Sequence, residues 1–336
     1  MMSLEQVAKR ARVSTATVSR VLNGVDVVKN STRARVMKAV SELKYHPNLH
    51  ARSLAGGRSR TVGVIVSNLD NPFFLDVYRA VETDCLVRGY ELIVANTLYR
   101  SEQLAASTRM MLGRRVAGLA VIVSEMDDNI ITELTESAIP IVFYDVGTPG
   151  GNITKIRVNY RKGMERVAEY LVALGHVDFA FIGHHAVLGP IDERFRALTD
   201  HIKAAAPKAK MRVIANADSL EGGRDAAAEL LSSGSPPTAI ICVNDIMAVG
   251  VMKEVRERGL RIPEDISITG FDNIQLSEFC YPALTTVHIP RDLIGHTVFA
   301  SLVPDESGRT TEGREIVINP ELVLRDSTGP APRQPR

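Results

Sequence analysis

Between residues 61 and 269 the chain alternates short apolar runs with longer amphipathic segments, and this alternation limits the folds it can adopt. Short, nearly continuous apolar runs are typical of strands buried on both faces of a sheet. Amphipathic segments between such strands favour parallel βαβ units. The expected strands are 62–66, 92–95, 116–123 and 139–144, then 179–182, 213–214, 239–243 and 266–269. The sequence therefore predicts two doubly wound parallel-sheet lobes, with a ligand cleft at the carboxyl ends of their strands.

Length and composition place the chain among globular, multi-domain proteins. Its 336 residues exceed what one ordinary core holds, and 45% hydrophobic with 24% charged residues exclude a mostly disordered protein. No apolar run approaches the ~18–20 residues of a membrane helix, and the N-terminus lacks the pattern of a secretory signal. Cys85, Cys242 and Cys280 are widely spaced and form no CxxC motif. A reducing, cytoplasmic location is therefore expected.

The net charge of +1 hides a strong asymmetry along the chain. Residues 1–60 hold twelve Lys and Arg against three Asp and Glu, a balance of +9, whereas the remaining residues balance at −8. A basic segment of this kind indicates nucleic acid or another anionic surface as a partner. A merely solvated basic face is the alternative on charge alone.

The basic segment begins with two short, capped helical patterns. Ser3 to Gln6 has the form of a capping box, and an apolar stripe follows it. Ser14 then provides a second N-cap, and Val18 and Val21 share one face of the next helix. Two short helices joined by about three residues predict a helix-turn-helix, and a third helix is expected over 31–43.

The outer face of the second helix carries residue types that recognise DNA. Thr15, Ala16 and Arg20 are expected to contact bases, because small side chains permit close approach and Arg can donate two hydrogen bonds to guanine. Polar side chains suited to phosphates surround them. These expected phosphate contacts are Ser14, Thr17, Ser19 and Asn23. The alternative is a small helical bundle in which Arg20 is simply solvated.

These residues closely resemble the lactose-repressor/galactose-repressor family of transcription regulators. The resemblance is carried by 14–23, Tyr45-His46-Pro47-Asn48 and 51–54, and it continues through Asn71-Pro72-Phe73-Phe74, Asn244-Asp245 and Gly270-Phe271-Asp272. It implies a hinge helix that folds on operator DNA, with Ala51 and Leu54 in the minor groove and Leu54 as a wedge. Two departures are Arg12, where the family usually has a turn glycine, and Lys29, where it usually has a Ser cap, so that Asn30 or Ser31 is expected to cap instead.

The resemblance also implies the fold of periplasmic sugar-binding proteins and an effector cleft. The implied effector-binding residues are Phe73, Phe74, Asp145, Arg194, Asn244 and Asp272. Carboxylates accept from vicinal hydroxyls, guanidinium and amide groups donate, and a phenyl face stacks on a sugar ring. Each residue also has a structural alternative: Asn244 or Asp272 could cap a turn, and Phe74 could belong to the core. Val146 stands where purine-binding relatives carry a large aromatic, and Ile289 stands where sugar-binding relatives often have Gln. The resemblance therefore does not fix the ligand, although the missing aromatic argues against a purine.

The resulting domain prediction has four parts. They are a headpiece at 1–46, a hinge and linker at 47–59, a two-lobed domain at 60–325 and a disordered tail at 326–336. Within the two-lobed domain, lobe 1 is expected over about 60–159 and 291–319, and lobe 2 over about 160–290 and 320–325.

The expected function is a homodimeric, ligand-responsive repressor. No cofactor and no metal are expected, because no nucleotide-binding, hydrolase or zinc motif is present. An α/β sugar-processing enzyme fused to a headpiece, a regulator that responds to a purine or another non-sugar metabolite, and an architectural DNA binder without an effector are the alternatives.

Overall fold

A computed structural model describes residues 3–22, 27–45, 59–123, 127–184, 190–305 and 312–332. The chain separates into two compact units, which divide between Ser59 and Arg60. We call them the headpiece and the two-lobed unit. Over the ranges just given, no helix combines the length and the apolar character needed to cross a membrane.

The headpiece contains three helices, α1 (Leu4–Ala11), α2 (Thr15–Leu22) and α3 (Asn30–Glu42). The capping box at α1 forms as expected: Gln6 N–H donates to the Ser3 hydroxyl at 3.3 Å, and Ser3 N–H donates to Gln6 at 2.8 Å. All three helices contribute to one small core. Its fully buried members are Val7, Ala8, Ala11, Val18, Val21, Val36 and Ala39.

Two departures from the family pattern have visible structural consequences. Arg12 ends α1 at φ 53°, the left-handed conformation that a glycine adopts without cost. The expectation that Asn30 or Ser31 caps α3 is wrong, because the helix begins at Asn30 after Lys29, whose side chain makes no capping hydrogen bond. Both features are expected to reduce the stability of the headpiece slightly.

The first lobe is a six-stranded parallel sheet in the order β11-β5-β4-β3-β1-β2. Its strands are β1 (Thr61–Val66), β2 (Glu91–Asn96), β3 (Gly118–Ile122), β4 (Ile141–Tyr144), β5 (Ile153–Val158) and β11 (Glu315–Ile318). Its helices are α4 (Pro72–Arg88), α5 (Ser101–Gly113), α6 (Asp128–Thr135) and α12 (Arg291–Leu302). The central strands are buried along nearly their whole length, as their apolar runs predict.

The second lobe is built on a four-stranded parallel sheet in the order β7-β6-β8-β9. These strands are β6 (Asp178–His184), β7 (Lys210–Asn216), β8 (Ala239–Cys242) and β9 (Ser267–Thr269). An antiparallel pair, β10 (Thr286–His288) and β12 (Glu321–Val323), adjoins β9. The helices are α7 (Tyr160–Ala173), α8 (Pro190–Ala205), α9 (Leu220–Ser232), α10 (Asp245–Glu257) and α11 (Gln275–Phe279). The predicted class, two parallel-sheet α/β lobes behind an α-helical headpiece, is confirmed.

The chain passes between the lobes three times. The first crossover lies between β5 and α7, the second between β10 and α12, and the third between β11 and β12. Helix α12 packs closely against α4 after the second crossover: a Cβ atom added at Gly295 would lie 2.4 Å from Ala80 Cβ. Each lobe is therefore assembled from segments distant in sequence.

The segment expected to be a disordered tail is instead packed against the second lobe as far as Pro332, so that prediction is wrong for 326–332. Ile268 N–H donates to Ser327 C=O at 2.8 Å, and the buried Ser327 hydroxyl donates to Ile268 C=O at 2.6 Å. Gly329 C=O contacts a ring nitrogen of His176 at 3.0 Å. The Pro- and Gly-rich composition suggested disorder, but backbone groups attach the segment beside β9.

Candidate functional site

The cleft of the two-lobed unit lies at the carboxyl ends of the parallel strands. Val123 and Asp145 follow β3 and β4 in the first lobe, and Asn244 and Asp272 follow β8 and β9 in the second. These side chains line a cavity of about 40 Å³, which is room for about three water molecules. An organic ligand can therefore enter only if the lobes or the lining side chains move.

All six residues proposed for the effector site line this one cavity, together with Asp218. The sequence analysis did not single out several other lining residues. These are Asn71, Tyr99, Val123, Tyr144, Tyr160, His184, Pro190 and Ile191. Val123, Tyr144 and His184 lie at or just beyond the ends of predicted strands, so position at a strand end was the signal that could have found these three.

The Asp145 carboxylate is held by the segment of the first crossover. It accepts hydrogen bonds from Val158 N–H at 2.8 Å and from the Tyr160 hydroxyl at 2.5 Å. Burial raises the pKa of Asp145 to about 6, although both hydrogen bonds and the nearby Arg194 act to lower it. The carboxyl group is thus fixed in direction, and it is poised to change its protonation state near neutral pH.

Arg194 lines the cavity and carries a buried donor without a hydrogen-bond partner among the described residues. Its guanidinium donates to Val243 C=O at 2.9 Å and lies 4.2 Å above the Tyr160 ring and 4.5 Å from the Phe271 ring centroid. The donor that lacks a partner is its Nε–H group. A buried N–H without an acceptor is costly, so a ligand oxygen or nitrogen at this point would stabilise the site.

Asp272 provides a matching acceptor. Its side chain is 5% exposed, and within the described ranges its carboxylate accepts no hydrogen bond. Arg291 donates instead to the Asp272 backbone carbonyl. Burial raises the pKa of Asp272 well above its usual range, and the Arg194 charge opposes this rise. A ligand that donates a hydrogen bond here would satisfy the carboxylate.

Asn244 combines a structural role with its place in the cleft. Its side-chain oxygen accepts from Met247 N–H at 2.9 Å and caps α10, and its amide donates to Asp218 Oδ1 at 2.6 Å. The structural alternative for Asn244 is therefore realised, and the amide group retains one N–H for a ligand.

The two phenylalanines form the apolar wall of the cleft. Phe73 and Phe74 lie in the first turns of α4, which Asn71 caps by accepting from Phe73 N–H at 3.0 Å. Their rings meet edge to face at 5.2 Å, and Phe73 lies 5.9 Å from the Tyr144 ring. Both are about 5% exposed, so they belong to the core of the lobe and to the cavity wall at once.

The headpiece places the proposed base contacts on its surface. Thr15, Ala16 and Arg20 are exposed, whereas Val18 and Val21 of the same helix are buried. Arg20 makes no hydrogen bond or ion pair within the described part of the chain. An exposed, unpaired arginine on a short helix can enter the major groove.

The proposed phosphate contacts near α2 are partly engaged within the protein. Ser14 caps the helix by accepting from Thr17 N–H at 3.2 Å, and the two hydroxyls lie 2.9 Å apart. Ser19 is partly exposed. Asn23, Ala51 and Leu54 lie outside the described residues.

The pKa of Asp145 gives a prediction for stability against pH. The folded protein keeps this proton up to about pH 6, whereas an unfolded Asp loses it near pH ~4. Asp145 therefore makes the free energy of unfolding fall as the pH rises between these values. Asp145→Asn should remove this component, so the variant should gain stability relative to the parent by ~2–3 kcal/mol from pH ~4 to pH ~7.

Urea unfolding at a series of pH values measures this difference. Asp265→Asn is the control, because its pair with Arg261 lowers the pKa of Asp265 to about 2. Its difference from the parent should slope in the opposite direction below pH ~4 and stay nearly constant from pH ~4 to pH ~7. A constant difference between Asp145→Asn and the parent over the whole range would contradict the prediction.

Comparison with known proteins agrees with this geometry. Residues 3–48 match the family of bacterial regulatory proteins called the lacI family, and residues 168–328 match a periplasmic binding protein-like domain. The PurR transcriptional repressor of Vibrio vulnificus is 36% identical over 334 residues, which cover 97% of this chain and 98% of that protein.

Solved structures of bacterial repressors are similar to this chain as well. The lac repressor dimer bound to operator and the anti-inducer ONPF matches with a TM-score of 0.83 and 29% identity, over 98% of this chain and 99% of that one. A LacI family regulator from Enterococcus faecium with bound ribose matches with a TM-score of 0.71 and 27% identity, over 80% and 99%. The chain therefore belongs to the lacI family of bacterial regulatory proteins, as a DNA-binding, ligand-responsive repressor rather than an enzyme.

Proposed function

We propose that this chain is a cytoplasmic, homodimeric repressor whose effector is a small, neutral, hydroxyl-rich molecule such as a sugar. The observation that carries this proposal is the pair of unused groups in the cleft, the Arg194 Nε–H donor and the Asp272 carboxylate acceptor. A hydroxyl group both accepts and donates, so neighbouring hydroxyls of one ligand satisfy both groups.

The charges of the cleft favour a neutral ligand. Asp145, Asp218 and Asp272 line it, and Arg194 is the cation beside them. An anionic ligand such as a sugar acid would add a charge to this buried cleft, where burial already raises the pKa of Asp145 and of Asp272, and this disfavours its binding. The Phe73 ring offers an apolar face for the C–H side of a sugar ring. The Enterococcus faecium structure with bound ribose is consistent with this class.

A purine or another non-sugar metabolite is the second candidate. Sequence identity favours it, since the chain is 36% identical to the PurR repressor and 29% identical to the lac repressor. Against it, Val146 packs on the core of the first lobe and is not among the residues that line the cavity. No aromatic side chain therefore occupies that position to stack on a base.

In this proposal the headpiece binds the operator and the hinge transmits the state of the cleft. Thr15, Ala16 and Arg20 contact bases in each half-site, and the hinge helices of the two subunits meet in the minor groove with Leu54 as the wedge. Effector binding changes the closure of the lobes and with it the order of the hinges.

A thermal-shift panel tests the effector class. Neutral sugars, sugar acids and nucleobases are each titrated into the full chain, and a true effector at ~100 times its Kd should add ~2.7 kcal/mol to the free energy of unfolding. We expect stabilisation by a neutral sugar and none by its acid. Stabilisation by nucleobases alone would replace the sugar with the second candidate.

A further inference from the structure

Tyr99 spans the cleft from the first lobe. It follows β2, and both Tyr99 (φ 58°) and the preceding Leu98 (φ 50°) adopt the left-handed conformation. The left-handed conformation is unfavourable for residues other than glycine. Two consecutive residues therefore keep it only where surrounding contacts offset its free-energy cost. The strained turn carries the Tyr99 side chain to the cavity, where it is one of the lining residues.

Contacts in both lobes hold this turn: Leu98 N–H donates to Asn96 Oδ1 at 3.4 Å within the first lobe, Tyr99 hydrogen-bonds to Asn68 of the same lobe, and Tyr99 also contacts the second lobe. The Tyr99 hydroxyl donates to Asp218 Oδ2 at 2.5 Å, and its ring lies 5.6 Å from the His184 ring. The other Asp218 oxygen accepts from Asn244, which caps α10. The hydroxyl of a first-lobe residue is thus joined through a carboxylate to the start of a second-lobe helix.

This bond lies far along the chain from all three crossovers. Arg291 also joins the lobes, donating to Asp76 at 3.0 Å and to Asn273 C=O at 2.9 Å, but it lies directly on the second crossover, where the lobes are covalently connected. The Tyr99–Asp218 bond has no such connection beside it. It therefore restrains the relative movement of the lobes rather than the geometry of a connecting segment.

We propose that Tyr99 is a positioning residue for effector binding: its hydrogen bond to Asp218 holds the two lobes together across the cleft, and it must break for a ligand to enter or leave. The inference rests on the proposed effector site, and a cavity volume of about 40 Å³ is too small for an organic ligand unless the lobes move. Since the bond must break whenever a ligand enters or leaves, its loss should accelerate both association and dissociation.

The test measures opening of the cleft in the effector-free full chain. Val123 lines the cavity and is 2% exposed, so Val123→Cys places a thiol that the reagent DTNB reaches only when the cleft opens. The native Cys85, Cys242 and Cys280 supply the background rate, which is measured on the chain without this substitution. In the Val123→Cys background, Tyr99→Phe should raise the labelling rate roughly tenfold, since it removes one hydrogen bond to a charged group and keeps the ring.

Tyr78→Phe is the matched control. Tyr78 donates to Glu82 at 2.7 Å within α4, so this variant removes a tyrosine–carboxylate bond that does not cross the cleft. We expect its labelling rate to equal that of the parent. Equal rates for Tyr99→Phe and the parent, or the same acceleration in both variants, would overturn the proposal.

The assay also separates this inference from the proposed function. It uses no effector, so faster labelling in Tyr99→Phe supports the restraint even if no compound in the thermal-shift panel binds. Conversely, a compound that stabilises the parent while Tyr99→Phe leaves labelling unchanged would support the effector site and refute the role of Tyr99.

Discussion

Arg194→Ala should abolish the response of operator binding to effector, while the effector-free variant binds operator with nearly the affinity of the parent. The guanidinium lies over the neighbouring Tyr160 and Phe271 rings, and its buried Nε has no hydrogen-bond partner among the described residues. Alanine removes that donor and leaves the Asp272 carboxylate buried without the cation that opposes its pKa shift. Loss of a buried, charged hydrogen-bond donor to a ligand costs several kcal/mol, which is enough to reduce binding by more than ~100-fold.

Titration of effector against labelled operator measures this response. Arg196→Ala is the control, because Arg196 lies two residues further along α8 and forms an exposed pair with Asp192 at 2.8 Å. It should respond as the parent does. Arg194→Lys should also fail, since an ammonium lacks the planar fork that stacks on the two rings. An unchanged half-maximal effector concentration in Arg194→Ala would remove this residue from the site.

Loss of folding must be distinguished from loss of binding in this experiment. Arg194 also donates to Val243 C=O, so its removal is expected to lower the stability of the second lobe. Operator binding in the absence of effector provides the check, because a misfolded two-lobed unit would not support the dimer on which high-affinity binding depends. A variant that binds operator with the affinity of the parent but no longer responds to effector has lost effector binding and kept its fold.

The sequence predicted the strands that contain a continuous apolar run and did not predict those that lack one. β1 and β3 are continuous apolar runs, whereas β5 alternates with Lys155 and Arg157 at its partly exposed positions and so gave no comparable signal. β10, β11 and β12 are three or four residues long, and their pairing depends on contacts across the crossovers. Local pattern cannot encode such contacts.

The residues of the candidate site were likewise predicted in part. Asp145, Arg194 and Asp272 were proposed through the family resemblance, and the structure brings them to one cavity. Tyr99 was not proposed, because nothing in its neighbourhood marks it: its position depends on two left-handed residues and on a partner more than a hundred residues away. The role of Asn244 as a cap was foreseen only as an alternative, since capping and ligand contact use the same residue type.

Arg20→Ala should weaken binding to the cognate operator by ~1–3 kcal/mol and relax the preference at one base pair of each half-site. Arg20 is exposed on the face of α2 opposite Val18 and Val21, and it has no partner among the described residues. A guanidinium in this position can donate two hydrogen bonds to guanine O6 and N7, which no other base pair accepts in the same geometry. Its loss therefore reduces specificity as well as affinity.

Competition binding with all four bases at each operator position measures both effects. Lys38→Ala is the matched control, because Lys38 lies on α3 with its side chain 78% exposed and its removal deletes the same charge. Any loss of affinity in that variant should be the same for all operator sequences, because charge alone makes a sequence-independent contribution to binding. Equal losses on every sequence in Arg20→Ala would reassign Arg20 to the phosphate backbone, because only a contact to a base edge can distinguish one base pair from another.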